Sequence, residues 1–182
     1  MIGPHTKKLT TTNIALIGIF SALWVTLNLT IAPLGFALLH LPVIHSIIIF
    51  VMLILVVWAT GQYGAASLVS IIGSVIVVLA NPSVAPVLGF VPAALIFDLI
   101  LLLNHHRVNK KPLSIGIVVL SSIFCTYVAA LVNGFLILNL EWMFTLTVWG
   151  GWNILGAIIG AAIILPIIAA LEKADVKKIK VE

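Results

Sequence analysis

Six long apolar runs, separated by short clusters of Pro, Gly, Asn and charge, make up most of this chain of 182 residues. They fall at about 13–32, 43–60, 64–80, 87–104, 113–138 and 145–171. The runs are continuously apolar and lack the alternation of a membrane β-strand. Each approaches the roughly 20 residues a helix needs to cross hydrocarbon. The punctuation marks their ends. Pro33-Leu34-Gly35 stops the first run, and His40-Leu41-Pro42 precedes the second. Gly61-Gln62-Tyr63 joins the second and third in a tight hairpin, and Asn81-Pro82-Ser83 closes the third. The pattern predicts an all-α integral membrane protein: one membrane domain over residues 1–182, a bundle of six transmembrane helices with short tails.

Composition removes the soluble alternatives. Hydrophobic residues make up 63% and charged residues 8%, against roughly 25% charge in a soluble domain. The mean hydropathy of +1.32 likewise excludes disorder. The first apolar run is too long for a signal peptide and is not followed by a small-residue cleavage site and a polar mature domain. The single cysteine, Cys125, sits in an apolar run and reads as a packing residue. A net charge of +4 is compatible with nucleic-acid binding, but in a membrane protein it follows from the bias of Lys and Arg to the cytoplasmic face. With six spans, all nine basic residues lie on one side: Lys7, Lys8, Arg107, Lys110, Lys111, Lys173, Lys177, Lys178 and Lys180. Both termini are therefore expected in the cytoplasm of a cell-membrane protein.

Polar groups in hydrocarbon turn toward other helices or a cavity. At 100° per residue, Ser122, Thr126 and Asn133 share one face of the fifth run, with Ala129 and Ala130 between them. Trp149, Asn153, Gly156 and Gly160 share a face of the sixth. Larger polar and aromatic groups fall toward the outer end and small residues toward the inner, which predicts an outward-facing pocket. Ordinary packing through small residues would use the same faces. The outer connections add His40 and His45 from the first, Asn81 from the second, and Glu141 and Trp142 from the third. The candidate pocket residues are therefore His40, His45, Asn81, Asn133, Glu141, Trp142, Trp149 and Asn153. A separate small face in the first helix carries Gly18, Ser21 and Ala22, suited to close approach of a second helix.

Other features have plainer readings. Trp24 and Trp58 read as lipid-facing or packing residues. His40 and His45 are five apart, interrupted by Pro42, and have no third ligand nearby, so no metal site is expected. Asp98 either pairs with a polar group of the first helix or reaches toward Arg107. His105 and His106 belong to a basic solvated loop. No Walker-type phosphate loop, His-Glu-x-x-His or other intramembrane protease signature occurs, so no enzymatic activity and no cofactor are expected.

Several stretches together resemble a known family. These are six spans in under 200 residues, an opening helix reading Ile14-Ala-Leu-Ile-Gly-Ile-Phe-Ser-Ala-Leu-Trp24, and Leu41-Pro-Val-Ile-His45 entering the second. Phe97-Asp98-Leu99 and Gly151-Trp-Asn-Ile-Leu-Gly-Ala-Ile-Ile-Gly160 complete the set. Over about residues 9–175 the chain resembles the substrate-binding membrane subunit, the S component, of energy-coupling factor (ECF) transporters. The resemblance implies capture of a vitamin or related organic micronutrient from outside. It also implies docking on a transmembrane T component through small residues of the first helix, and two cytoplasmic ATPases that drive release. The family's Ala-x-x-x-Ala pattern corresponds here to Gly18-x-x-x-Ala22. A thiamin-, pyrimidine-, flavin- or biotin-like ligand suits the residues, with Glu141 available to a cationic one.

Two other classes remain open on the residues alone. One is a stand-alone small permease or channel. The other is a membrane structural or assembly protein with no small ligand and a fully filled core. The split of basic residues yields a direct test of topology. In a Cys125→Ser background, Asn109→Cys should resist membrane-impermeant thiol reagents in intact cells and react after permeabilisation; labelling from outside would overturn the orientation.

Overall fold

Helix α1, Thr11–Leu39, does not stop at Pro33 but runs through it. Its end is set instead by His40, which takes a left-handed conformation (φ 55°) and donates its backbone N–H to the Phe36 carbonyl at 2.7 Å. His is one of the few side chains enriched at positive φ. The expected outer loop over 33–42 therefore shrinks to a tight connection into α2, Val43–Thr60. Gly61 and Gly64, both at positive φ, turn the chain into α3, Ala65–Ala80. These elements come from a computed structural model that describes residues 10–103, 108 and 112–174, with Leu39 described by its backbone alone.

The remaining elements depart from plain helix at one end of the bundle. A 3₁₀ segment, Pro82–Gly89, leads into α4, Phe90–Leu102. Helix α5, Pro112–Val132, ends in a π turn over Asn133–Ile137. The single turn α6, Trp142–Phe144, passes through a second π turn, Thr145–Trp149, into α7, Gly150–Lys173. The sixth span thus begins three residues before its expected start at 145. No strand occurs among the described residues. Five helical segments are long and apolar enough to cross a membrane, and the sixth, α3, has 16 residues, or about 24 Å at 1.5 Å per residue. Of the nine basic residues only Lys173 falls within the described residues. The basic loop with His105, His106 and Arg107 lies outside them.

The spans close into a ring. Going round it, α1 packs on α2, α2 on α7, α7 on α5, α5 on α4, α4 on α3, and α3 back on α1. Helix α2 also touches α3 and α5 and is the most enclosed, with 61% of its span buried against 22% for α1. Its Ile49, Phe50, Leu53, Ile54, Val56 and Val57 are fully buried. Phe50 meets Phe90 and Phe97 of α4 edge-on at 6.5 and 6.0 Å. Small residues set the tightest approaches: a Cβ on Gly156 would stand 2.5 Å from the Val43 carbonyl oxygen, and one on Gly160 3.0 Å from that of Ile47. Backbones this close exclude any side chain at those positions.

Several polar groups on the helices find partners on their own or a neighbouring helix. Thr26 and Thr30, exposed on α1, donate to the carbonyls of Ala22 and Thr26 at 2.9 and 2.7 Å. This answers the need for internal hydrogen bonds in hydrocarbon. Asp98 accepts from the Ser67 amide at 2.8 Å and from its hydroxyl at 2.5 Å. It therefore serves the first turn of α3, which has no side-chain cap of its own, rather than a group on α1. Trp58 donates to Glu172 at 3.2 Å across α2 and α7.

Trp24 is a packing residue and not a lipid-facing one: it is fully buried, and a Cβ on Gly73 would stand 2.5 Å from its ring. Trp24→Ala should therefore leave a cavity between α1 and α3. The expected loss is about 3–5 kcal/mol, read by denaturant unfolding of the purified protein; a loss below about 1 kcal/mol would show that the seam collapses onto the gap.

Candidate functional site

The irregular ends of the helices converge. Asn133 opens the π turn after α5, and Trp149 closes the π turn before α7. The two turns pack together where a Cβ on Gly134 would stand 2.3 Å from Thr145 Cγ2. Wide π turns re-aim side chains relative to the helix that carries them, and they are frequent at functional sites. Tyr127 of α5 donates to the Leu146 carbonyl at 3.3 Å and ties the second turn to the bundle.

Between these turns, the 3₁₀ segment, the start of α2 and the last turns of α1 lies a chamber of about 340 Å³. Five of the eight expected pocket residues line it: His45, Asn81, Asn133, Trp149 and Asn153. The other three do not. His40 is exposed at the α1 cap, Trp142 is exposed and stacked on Phe135 at 4.9 Å, and Glu141 is exposed at the start of α6. The expected roof over 33–45 is mostly helix, so Ala32, Pro33, Phe36 and Ala37 form a wall of α1 instead. Phe90 forms part of the wall beside His45, the two rings 5.1 Å apart.

The polar groups of the chamber divide into two sets. Asn153 and Asn81 are engaged within the chain. Asn153 accepts from Ser46 of α2 at 2.7 Å and donates to the Trp149 carbonyl at 2.8 Å. Asn81 Oδ1 accepts from the amide and hydroxyl of Ser83, at 3.2 and 2.6 Å. Asn153 is thus a brace: it locks α7 to α2 and secures the backbone behind Trp149. The other set lacks partners. Asn133 Oδ1, His45 Nε2 and Trp149 Nε1 are all buried without a hydrogen bond. Asn133 packs so closely on the 3₁₀ segment that a Cβ on Gly89 would stand 2.0 Å from its oxygen. Other buried polar atoms lack a partner too, among them Ser21 Oγ, Asn28 Oδ1, Ser70 Oγ and Thr126 Oγ1; what sets these three apart is that their residues line one chamber.

Two contributors escaped the sequence reading. Ser46 carried no signal, because its partner lies 107 residues away. Phe36 was hidden because Pro33 reads as a stop, although a helix can pass through proline at the loss of one hydrogen bond. Among the described residues no group of three His, Cys, Asp or Glu side chains gathers to hold a metal.

The small face of α1 divides as well. Ser21 is buried, whereas Gly18 and Ala22 are exposed, and a Cβ on Gly18 would meet nothing within 4 Å. The chain's own helices leave those two positions uncovered.

No protein-family model, curated protein or solved structure matches the chain. The class therefore rests on the fold and the chamber alone: an all-helical protein of multi-pass membrane character, with a partly polar cavity at one end of its bundle.

Glu141 acts on local structure. Its carboxylate accepts from the amides of Phe144 at 2.7 Å and Met143 at 3.0 Å, and these bonds hold its pKa below the ordinary carboxylate value. A lowered folded pKa means that this cap is present above the ordinary carboxylate range and lost as pH falls through the lowered value. The near-UV circular dichroism of the neighbouring Phe135–Trp142 stack should hold steady through neutral pH and change only below the ordinary carboxylate range. Glu141→Gln should abolish that transition; an unchanged acid transition in the variant would assign it to another group.

Proposed function

We propose that this protein is the substrate-capturing S component of an ECF-type importer, sited in the cell membrane with both termini in the cytoplasm. The observation that carries the reading is the chamber. It lies at the end of the bundle where residues 33–45, 81–90 and 133–153 meet, and five of the residues expected at an outer pocket line it. The positive-inside bias puts this end outside the cell. Capture of a vitamin-like organic micronutrient there is a matter of binding and conformational change, and it needs no bond chemistry from this chain.

A filled structural core and an open channel fit the same observations less well. A structural or assembly protein calls for a filled core, and a chamber with unpartnered polar groups is a poor stabilising element. An open channel calls for a continuous path. Phe50, buried and in contact with the buried rings of Phe90 and Phe97, instead makes an apolar barrier beside and beyond the chamber wall.

The uncovered Gly18 and Ala22 suit a docking face for a transmembrane T component, itself coupled to two cytoplasmic ATPase subunits. Small residues there let a partner helix approach closely. Gly18→Leu and Ala22→Leu should therefore abolish ATP-driven uptake by the reconstituted complex. Ligand binding to the isolated chain should change less than about twofold, well under the loss of one buried hydrogen bond. Binding lost along with uptake would assign the face to packing within the chain, and uptake retained by both variants would remove it from coupling.

A further inference from the structure

The chamber also constrains what it can hold. Among the described residues that line it there is no Asp, Glu, Lys or Arg. Glu141, the one acidic residue expected nearby, lies outside the lining with both oxygens occupied by backbone amides. An ion moved into this wall would leave water and meet no countercharge, a penalty that only an ion pair or several strong hydrogen bonds can offset.

The rest of the lining suits a ring. Phe36, Phe90 and Trp149 supply aromatic surface, and Leu41, Val84 and Leu138 supply aliphatic contacts. Filled to the density of a protein interior, the volume takes about 250 Å³ of ligand, one or two fused rings with short substituents. Against this apolar background stand the three unpartnered groups on three different elements: Asn133 Oδ1 and His45 Nε2, and the donor Trp149 Nε1. Asn133 is only 2% exposed. These three atoms expose almost no surface, so a ligand reaches them through a small rotation of the side chains, and it then gains the bonds without competition from solvent.

We infer that the ligand of this chamber is an uncharged, planar ring compound bearing amide-like hydrogen-bonding groups, recognised by Asn133, Trp149 and His45. The inference rests on the reading of the chamber as the capture site and narrows it. A cationic ring is disfavoured along with an anionic one, because no carboxylate lines the chamber. Asn153 and Asn81, occupied within the chain, are positioning residues for this ligand.

The test uses the full-length chain in nanodiscs and isosteric probes that differ in charge: benzamide, benzoate and benzamidinium, with their naphthalene analogues. Binding is read by calorimetry and by thermal shift. The carboxamides should bind at least about tenfold tighter than the ions of the same shape. Trp149→Phe, which deletes one donor and keeps the ring, and Asn133→Ala should each weaken carboxamide binding at least about fivefold, the scale of one buried hydrogen bond. Trp152→Ala, on the outer face of α7 away from the chamber, should leave it unchanged. Ions that bind as well as or better than the carboxamides, or carboxamide binding insensitive to both chamber variants, would overturn the inference while leaving the capture role standing. No binding by any probe would overturn the inference; if a broad vitamin panel were silent too, the capture role would fall with it.

Discussion

The contact between α2 and α7 is the one on which the rest of the site depends. Gly156 and Gly160 let the two backbones come within a side chain's width of each other. That distance brings Ser46 within 2.7 Å of Asn153, and the Asn153 amide reaches the carbonyl of Trp149 one turn earlier. A larger residue at 156 would collide with the Val43 carbonyl and the Ser46 Cβ together. Close packing, a buried hydrogen bond and the placement of an aromatic wall are thus one arrangement. Dispersion between small residues draws the helices together, and the polar pair fixes their register.

A second constraint acts along the whole length of the bundle. Inside hydrocarbon an unmet polar group has no solvent to turn to. The chain answers at short range wherever it can: Thr26, Thr30, Thr60 and Ser122 donate to carbonyls four residues back on their own helices. Where short-range bonding fails, partners come from a neighbouring helix, as Asp98 does for Ser67 and Ser74 for the Val87 carbonyl. Ser21, Asn28, Ser70 and Thr126 also keep an unpartnered atom; Asn133, His45 and Trp149 differ from them because all three residues line one chamber and all three are held by irregular or constrained backbone. Asn133 and Trp149 belong to π turns, and His45 lies in the first turn of the helix that follows Pro42.

The interhelical bonding of Asp98 and the unfilled chamber accordingly lie at opposite ends of the bundle. The end carrying Asp98 and Ser67 is tied together by the two hydrogen bonds between them. The end carrying the 3₁₀ segment and the π turns gives up regular helix geometry and leaves a volume unfilled. A site that receives a ligand needs both: a rigid base to hold its walls, and walls whose hydrogen bonds are not already used.

Much of this was legible in the order of residues. Continuous apolar runs admit only helix in a bilayer, because every backbone group must bond within its own segment. Helix existence and number follow, and so does the inward position of Asn133, Trp149, Asn153 and Gly156, since facing depends only on spacing along a helix of known period. The ends of the helices were not legible. Whether Pro33 stops α1 depends on whether neighbouring contacts outweigh one lost hydrogen bond. Ile44 packs directly against Gly35 from across the turn, and α1 continues. The roles of the polar residues were also a tertiary matter. Asn133 and Asn153 look alike in sequence, yet Asn153 meets Ser46 and becomes a brace, while Asn133 meets a glycine and keeps its oxygen unpaired. Local spacing determined which residues turn inward. Contacts between residues far apart in the chain decided which of them are used up by the fold and which keep an unpaired atom, because a hydrogen bond depends on the partner that packing brings within reach.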